Sequence, residues 1–205
     1  MTLERIVDTA VGMIEAQGAG GLSMRQLAAV LEVTPTAIYH HVRDKDALLD
    51  LCAQRILSFI PPRDPSLSWQ QQLHRLILEQ QRVFLRYPGL ARFLLVHRET
   101  SMASLQWAEP ILAVLHGAGL RGAAAIQVLM SLSFLINPLT LLDDKVDKKR
   151  SHPMLPKSRA AALLKRHPGQ LPHLAEALPH LGNISYEKHF EIALDQVIAG
   201  IEHVV

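Results

Sequence analysis

Three signals for the start of a helix fall within the 28 residues from Leu22 to Leu49. The first is Ser23, which is followed three positions later by Gln26. This spacing is that of a capping box, in which a hydroxyl and an amide side chain satisfy the first free backbone groups of a helix. It predicts a helix that begins at Met24.

The second and third signals follow at once. Thr34 stands before Pro35, and an N-cap hydroxyl with a proline at the first helical position predicts a short helix from Pro35 to His41. Asp44 predicts a third helix, in which apolar positions recur at helical spacing. Only the corner at residues 31–33 separates the first helix from the second. Two helices joined by so short a corner are typical of a helix-turn-helix, whose second helix enters the major groove of DNA.

The same stretch resembles the DNA-binding domain of the TetR family of bacterial transcription regulators. The likeness rests on Leu-Ser-Met-Arg-x-Leu-Ala at residues 22–28, Ala-x-Tyr-x-His at residues 37–41 and Lys-x-x-Leu-Leu at residues 45–49. One position departs from the family pattern, since the corner residue that is usually Gly is Glu32 here. A left-handed conformation at that position costs a residue with a side chain about 1 kcal/mol. The flanking helices are nevertheless expected to hold the turn.

DNA contacts are expected on the outer side of the second helix. Helical spacing turns Ile38 and Val42 toward the interior and Thr36, Tyr39 and His40 outward. The resemblance implies that Tyr39 binds the phosphate backbone and that Thr36 and His40 lie near base edges. A partly buried, structural tyrosine is the alternative for Tyr39.

Neighbouring residues extend this surface. The resemblance implies that Lys45 binds the backbone and that Pro35 lies near the bases. Arg25, one turn into the preceding helix, can reach a base or a phosphate from the groove edge. His41 has two interpretations, namely DNA contact and packing of its ring beneath the helix. The predicted DNA-binding residues are Arg25, Thr34, Pro35, Thr36, Tyr39, His40, His41 and Lys45.

The charge of this region does not by itself indicate nucleic-acid binding. Residues 1–60 contain five Lys or Arg and seven Asp or Glu, a balance of −2, whereas the whole chain carries +2. Residues 143–167 contain eight basic and three acidic side chains, a balance of +5. We interpret this basic segment as a long solvated loop, with a second DNA contact as the alternative. The affinity for DNA must then depend on the directions of individual side chains and on the backbone amides at the capped ends of helices.

Two apolar helices are predicted in the second half of the chain. The run from Phe190 to Glu202, together with Ser-Trp-Gln at residues 68–70, resembles the C-terminal domain of the tetracycline repressors within the same family. That resemblance implies that the helices near residues 121–142 and 186–203 form a four-helix bundle with a second copy of the chain. A monomer with a single core is the alternative.

The uncharged run from Gly122 to Leu142 is long enough to span a bilayer. It contains Gln127, Asn137 and Pro138, however, and a helix that is apolar all round also suits a protein that packs its own body on one side and a partner on the other. We therefore predict no membrane segment. The chain opens on an amphipathic helix rather than a signal peptide, and its single cysteine, Cys52, lies on an apolar stripe, so a cytoplasmic location is expected.

The resemblance also implies that the body senses a small molecule. Pockets combine apolar walls with a few polar groups. The candidates that fit this mixture are Phe84, His97, Met102, Trp107, Gln127, Phe134 and Asn137. Ordinary core packing is the alternative for each of them. The histidine and asparagine positions with which the tetracycline repressors hold their drug and Mg²⁺ do not line up with this sequence, so a small, largely apolar effector is predicted rather than tetracycline.

Metal binding and catalysis find little support. Leu-Pro-His-Leu occurs twice, at residues 171–174 and 178–181, but Pro179 interrupts the helix that would bring His173 and His180 to one face. No nucleophile elbow, phosphate loop or dinucleotide fingerprint occurs. No catalytic residue, metal or cofactor is therefore predicted.

Together these patterns predict an all-α protein, with a small three-helix head at residues 1–60 and a larger helical body at residues 61–205. The expected function is that of a homodimeric repressor, which binds a palindromic double-stranded DNA operator and is released by a small effector. The alternative is a helical binding or adaptor protein that has kept the fold and lost specific DNA binding. Glu32 and the acidic head are the only indications for that alternative.

Overall fold

The computed structural model describes residues 1–97, 101–141, 157–180 and 186–202. Within these residues the regular structure is helical throughout, which confirms the all-α prediction. The helices are α1 (Leu3–Gly21), α2 (Met24–Val30), α3 (Pro35–Tyr39), α4 (Lys45–Leu57), α5 (Trp69–Arg86), α6 (Leu90–Val96), α7 (Met102–Gly117), α8 (Gly122–Leu141), α9 (Lys157–Arg166), α10 (Pro172–Ala177) and α11 (Tyr186–Glu202).

The N-terminal head consists of α1, α2 and α3 around one apolar centre. Ile6, Ile14, Leu27 and Ile38 are fully buried there. Helix α4 adds Leu48 to this centre and then continues into the body, where it packs against α7. The domain boundary at residue 60 stays a prediction, because the buried side chains of head and body form one continuous cluster.

Side-chain caps hold two of the three helix starts. The Thr34 hydroxyl accepts a hydrogen bond from the Ala37 amide at 3.3 Å, and the Asp44 carboxylate accepts one from the Ala47 amide at 2.8 Å. Helix α2 begins at Met24 as predicted, but the Ser23 side chain makes no capping hydrogen bond. The capping box expected from Ser23 is therefore wrong. A capping box does form in the body, between Ser68 and Gln71 at the start of α5.

The corner between α2 and α3 has the left-handed residue that the sequence suggested. Glu32 has a φ of 58°, and it is the only residue other than glycine with a positive φ in the described part of the chain. The Glu32 amide bonds to the Ala29 carbonyl at 3.1 Å, and the Val33 amide bonds to the Ala28 carbonyl at 3.0 Å. This pair of bonds is a Schellman motif, in which the position of Glu32 favours glycine.

The body is a bundle in which α5, α7, α8 and α11 pack together. One side of α8 is buried through Leu129, Leu132 and Ile136. Its other side exposes large apolar side chains at a spacing of four residues, namely Ile126, Met130 and Phe134. A search of the described residues finds no helix with the length and apolar character needed to cross a membrane.

The segment predicted as a long loop, residues 143–169, contains a helix. Helix α9 begins at Lys157 and has 10 residues, which is longer than the one or two turns expected from residue 160 onward. The rest of that loop prediction falls largely on residues 142–156, which lie outside the described residues. Helix α10 ends at Ala177, and Leu178–His180 form a 3₁₀ turn, as expected for a segment whose Pro179 cannot continue an α-helix.

The strained corner gives a direct test of this backbone. Glu32→Gly is expected to raise the free energy of unfolding by about 1 kcal/mol, because glycine adopts a positive φ without steric cost. In a chain of this size that gain corresponds to about 2–4 °C in Tm, measured by circular dichroism. The matched control, Glu32→Ala, removes the carboxylate but keeps the Cβ atom, and so should show no such gain. Equal stability of the two variants would contradict the left-handed assignment.

Candidate nucleic-acid interface and body cavity

A row of polar residues along α3 lies on the surface of the head. The side chains are exposed at Thr34, Pro35, Thr36, Tyr39, His40 and His41. Tyr39 is 49% exposed, so about half of its surface is accessible, and DNA contact by its phenol stays a prediction beside the structural alternative. The His41 side chain is exposed and is not packed beneath the helix. All six predicted positions are therefore accessible in the protomer.

Two apolar anchors hold this row in place. Ile38 is fully buried and Val42 is 5% exposed, as helical spacing predicted. Helix α3 ends at Tyr39, two residues earlier than expected, but the chain keeps its turn because the His41 and Val42 amides both bond to the Ile38 carbonyl. A short helix is thus fixed by its buried side and presents its polar side outward.

The two predicted cations beside α3 differ in their surroundings. Arg25 is exposed on α2. Lys45 is half-buried at the start of α4, where its Nζ atom lies 3.5 Å from the Gly20 carbonyl at the end of α1. A sequence-adjacent cation, Arg43, is exposed and pairs with Asp44 at 2.7 Å. The Ala47 amide, and then the Arg43 guanidinium, hold the pKa of the Asp44 carboxyl below its usual range, so this cap stays charged at neutral pH.

Much of the negative charge of the head is already engaged within the protein. Asp8 pairs with Arg55, and Glu15 pairs with Arg86, each at 2.9 Å. Asp50 accepts hydrogen bonds from the first turn of α7. These carboxylates are held by partners away from α3 in the chain. Arg86 lies outside residues 1–60, so the count of −2 for the head alone overstates its negative charge by one.

A cavity of about 360 Å³ lies in the body between the end of α4, α5 and α7. Such a volume lies within the range of ligand pockets in proteins. Its walls are mostly apolar, and their polar members are Arg63, Gln80, Gln106 and Glu109. The lining residues are Leu57, Ile60, Pro61, Pro62, Arg63, Leu76, Gln80, Gln106, Trp107, Glu109, Pro110 and Ala113.

Gln80 and Trp107, which line this cavity, carry buried polar atoms without a partner, and so does Gln81 next to Gln80 in the chain. In the described part of the chain, Gln80 Oε1, Gln81 Nε2 and Trp107 Nε1 are buried and make no hydrogen bond. Gln80 is only 1% exposed, and its Nε2 atom donates to the Trp107 carbonyl over a long 3.4 Å. An unsatisfied buried polar group costs about 1–3 kcal/mol. One acceptor and two donors are thus held ready without a protein partner.

The residues predicted to line a pocket do not form one site. Phe84 is buried in the core and Trp107 lines the cavity. His97 stacks on Phe93 with ring centroids 4.6 Å apart, in the wall of a separate cleft of about 410 Å³ between head and body. The remaining members do not line either space: Met102, Gln127 and Phe134 are exposed, and the Asn137 side chain lies outside the described residues.

Neither a metal nor a reactive thiol is indicated. No group of three or more His, Cys, Asp or Glu side chains within the described ranges could hold a metal ion. Cys52 is buried, and this burial raises the pKa of its thiol to about 12. The thiol is therefore protonated at neutral pH and unreactive, as predicted.

Comparison with known proteins decides the family. Residues 6–52 match the family model for bacterial regulatory proteins of the tetR family. Residues 61–205, well over half of the chain, match the model for the tetracyclin repressor-like C-terminal domain. The chain belongs to the TetR family of transcriptional regulators.

Individual members of the TetR family align over most or part of the chain. A helix-turn-helix-type transcriptional regulator of Saccharopolyspora erythraea is 26% identical, over 98% of this chain and 84% of that protein. The class E tetracycline repressor of Escherichia coli is 30% identical, over 65% of this chain and 64% of that repressor. Apo ActR from Streptomyces coelicolor has a TM-score of 0.80 at 26% identity, covering 98% of this chain and 94% of its own. A structure of ActR with actinorhodin is also known.

The sequence did not predict the cavity residue Gln80 or its buried neighbour Gln81. Both lie on the buried side of α5, at the helical spacing set by Leu73, Leu76 and Ile77. The signal in the sequence was the presence of polar residues at positions that the helical period of α5 assigns to the core.

Because the buried Oε1 atom of Gln80 has no partner, replacing this residue is predicted to stabilise the protein. Gln80→Leu is expected to raise the free energy of unfolding by about 1 kcal/mol, because it removes a buried acceptor without a partner. The control is Gln72→Leu, which removes a good hydrogen bond of 2.9 Å to the Leu67 carbonyl and should lower stability by about 1 kcal/mol. Urea denaturation measures both. If Gln80→Leu is as destabilising as the control, the acceptor has a partner after all.

Proposed function

We propose that this TetR-family regulator is a cytoplasmic homodimer that represses transcription from a two-fold symmetric operator and is released by a small, largely apolar effector. The observation that supports this proposal best is the exposed row along α3, held by the buried Ile38. A helix fixed in this way presents polar groups to a groove without flexibility of its own.

Two kinds of DNA contact are proposed for the head. The Tyr39 phenol and the Lys45 ammonium bind phosphates and set the register of the head on the duplex. Pro35, Thr36 and His40 meet base edges, where Thr36 can contact a thymine methyl group or donate a hydrogen bond. Thr34, His41 and Arg25 extend this surface along the groove edge.

The proposed dimer buries the exposed sides of α8 and α11. Ile126, Met130 and Phe134 form an apolar stripe on α8, and Ile192 is a partly exposed apolar residue of α11. Phe134, at one end of this stripe, is 76% exposed in the protomer, an unusual state for a phenylalanine. Two heads joined through these helices can read two half-sites, which accounts for the symmetry of the operator.

The cavity beside Gln80 is the proposed effector site. The unpaired Gln80 Oε1 and Trp107 Nε1 atoms favour a ligand with at least one donor and one acceptor. The apolar walls favour a ligand with an apolar skeleton. The related protein ActR has been solved with actinorhodin and with (S)-DNPA. We infer an uncharged cyclic or aromatic molecule with hydroxyl or carbonyl groups.

Loss of phosphate contacts tests DNA binding. Lys45→Ala is expected to weaken operator binding about tenfold and to reduce the slope of log affinity against log salt by about one. Tyr39→Phe keeps the ring and removes one hydrogen bond to a charged group, so it should weaken binding about tenfold as well. Fluorescence anisotropy with DNA from around the protein's own gene gives both values.

The control for these variants is Arg82→Ala, which removes an exposed cation from α5 in the body and should leave affinity unchanged. Absence of retention of any fragment by the wild-type protein at low salt would favour the alternative, an adaptor that has lost DNA binding. A footprint without two-fold symmetry would contradict the dimeric arrangement.

Disruption of the apolar stripe tests the dimer. Phe134→Glu places a charge at the proposed interface, where it would have no partner, and should yield monomers in sedimentation velocity. The control is Leu105→Glu, at a similarly exposed apolar position on α7 outside the proposed interface. A monomeric wild-type protein, or an unchanged dimer in Phe134→Glu, would exclude this interface.

A further inference from the structure

A cleft of about 410 Å³ lies between head and body, next to the row of polar residues along α3. The turn after α3 lines it through His41, the first half of α4 through Asp46 and Asp50, and α6 through Phe93 and His97. Its volume is in the range of ligand pockets. It shares no lining residue with the body cavity, so the two are separate spaces. We call it the α4/α6 cleft.

One wall of the α4/α6 cleft contains a fixed aromatic surface. The His97 ring stacks on Phe93, with ring centroids 4.6 Å apart and an angle of 26° between the ring planes. Phe93 is buried, and this packing holds the half-buried imidazole in one orientation. Val42 and Leu51 add apolar surface to the lining. Because aromatic rings prefer to pack against other rings, this wall favours a ligand with a flat aromatic ring.

Helix α4 contributes two carboxylates to the cleft. Asp50 is half-buried, and its hydrogen-bond partners in the described part of the chain are all uncharged. They are the Ser101 hydroxyl, the Ala103 amide at 3.2 Å and the Gln54 side-chain amide at 2.8 Å. Asp46 lies one turn earlier on α4 and is exposed. Residues one turn apart share a side of a helix, so the two carboxylates lie along one side of α4.

The positive groups near these carboxylates are already engaged. Arg43 is the only lysine or arginine among the residues that line the cleft, and its guanidinium binds Asp44 at 2.7 Å. Lys45 precedes Asp46 in the chain, but its ammonium lies 3.5 Å from the Gly20 carbonyl. A carboxylate in a partly buried site attracts a cation more strongly than one in water does, because the local dielectric constant is lower. The cleft therefore favours a positively charged ligand.

We propose that the α4/α6 cleft binds an organic cation with a flat aromatic ring, which stacks on His97 and places its ammonium group beside Asp46 and Asp50. This site is separate from the proposed effector cavity and acts in the opposite sense. His41 belongs both to the cleft wall and to the row of polar residues along α3, so a bound ammonium adds positive charge close to the DNA phosphates and strengthens operator binding. This second step rests on the proposed function, whereas the binding of the cation does not.

Calorimetry with tryptamine tests the site without DNA, because this molecule joins an indole ring to an ammonium group. At about pH 8, where ordinary histidine side chains are uncharged, tryptamine is expected to bind with a Kd below about 1 mM. Indole-3-propionate has the same ring with a carboxylate in place of the ammonium, and should bind at least about tenfold more weakly. Equal or tighter binding of indole-3-propionate would contradict a cation site.

Substitutions in the two walls locate the bound molecule. Asp46→Asn removes an exposed carboxylate and should weaken tryptamine binding about fivefold. His97→Ala removes the stacking surface and should weaken it by a similar factor, whereas His97→Phe keeps a flat ring and so should keep the affinity. Wild-type affinity in both Asp46→Asn and His97→Ala would overturn the proposal.

The matched control is Glu176→Gln, which removes an exposed carboxylate from α10 in the body and should leave tryptamine binding unchanged. A further variant, Glu109→Gln, removes a carboxylate from the wall of the body cavity. If Glu109→Gln loses tryptamine binding and Asp46→Asn keeps it, tryptamine occupies the body cavity and the α4/α6 cleft is excluded as its site.

Fluorescence anisotropy with operator DNA tests the second step. At low salt, tryptamine at its wild-type Kd is expected to strengthen operator binding about twofold, and this effect should be lost when Asp46→Asn and His97→Ala are combined. Indole-3-propionate at the same concentration is the control and should not strengthen binding. Unchanged or weakened operator binding in the presence of tryptamine would exclude the regulatory role. A wild-type protein that binds no operator instead contradicts the proposed function, and calorimetry still decides whether the cleft binds the cation.

Discussion

Helix α4 is the element on which the arrangement of this protein depends, because it is buried on two sides by two different parts of the chain. Leu48, Cys52, Ala53 and Ile56 are fully buried along it, with α1 against one side and α7 against another. Removing such side chains from water contributes about 1.5–3 kcal/mol for each large one. No rearrangement of the body that moves α4 can therefore leave the head where it was. The coupling needed by a regulator follows from this shared core, before any particular hydrogen bond is considered.

The electrostatics of the head likewise depend on where charged side chains lie rather than on how many there are. A head with more acidic than basic residues is an unexpected DNA-binding surface if charge is only counted. In the structure, Asp8 and Glu15 form ion pairs with Arg55 and Arg86, and Asp44 is bound by a backbone amide and Arg43. Several of the carboxylates thus act within the fold, as caps and pairs. The polar row along α3 remains accessible, and specificity can rest on a few groups with fixed directions.

Local signals in the sequence predicted the head well and the cavity poorly, for physical reasons. Thr34, Pro35 and Asp44 act on neighbours three residues away, and the pattern therefore contains the whole interaction. The Ser23 cap was wrong because a hydroxyl at the right spacing is permitted, but not obliged, to bond the backbone. The pocket depends on which side of each helix meets the bundle, and α8 is apolar on both sides, so that periodicity could not assign Phe134 to the exterior. The hydrogen bonds that Asp50 accepts from Ser101 and Ala103 join residues too distant in the chain for any local pattern.

The buried side chains of Gln80 and Gln81 are relevant to the function of the body. A core that served only stability would place leucine at these positions, since each unsatisfied buried group costs about 1–3 kcal/mol. Trp107 adds a third orphaned atom, and it lines the same cavity as Gln80. Three such groups amount to several kcal/mol in a protein whose total stability is typically about 5–15 kcal/mol. A ligand in the proposed site that satisfies the Gln80 and Trp107 atoms recovers part of that free energy on binding, and binding through groups already fixed in place loses little further side-chain entropy. The proposed site borders Leu57 at the end of α4, so the free energy of such binding is available to move the helix that holds the head.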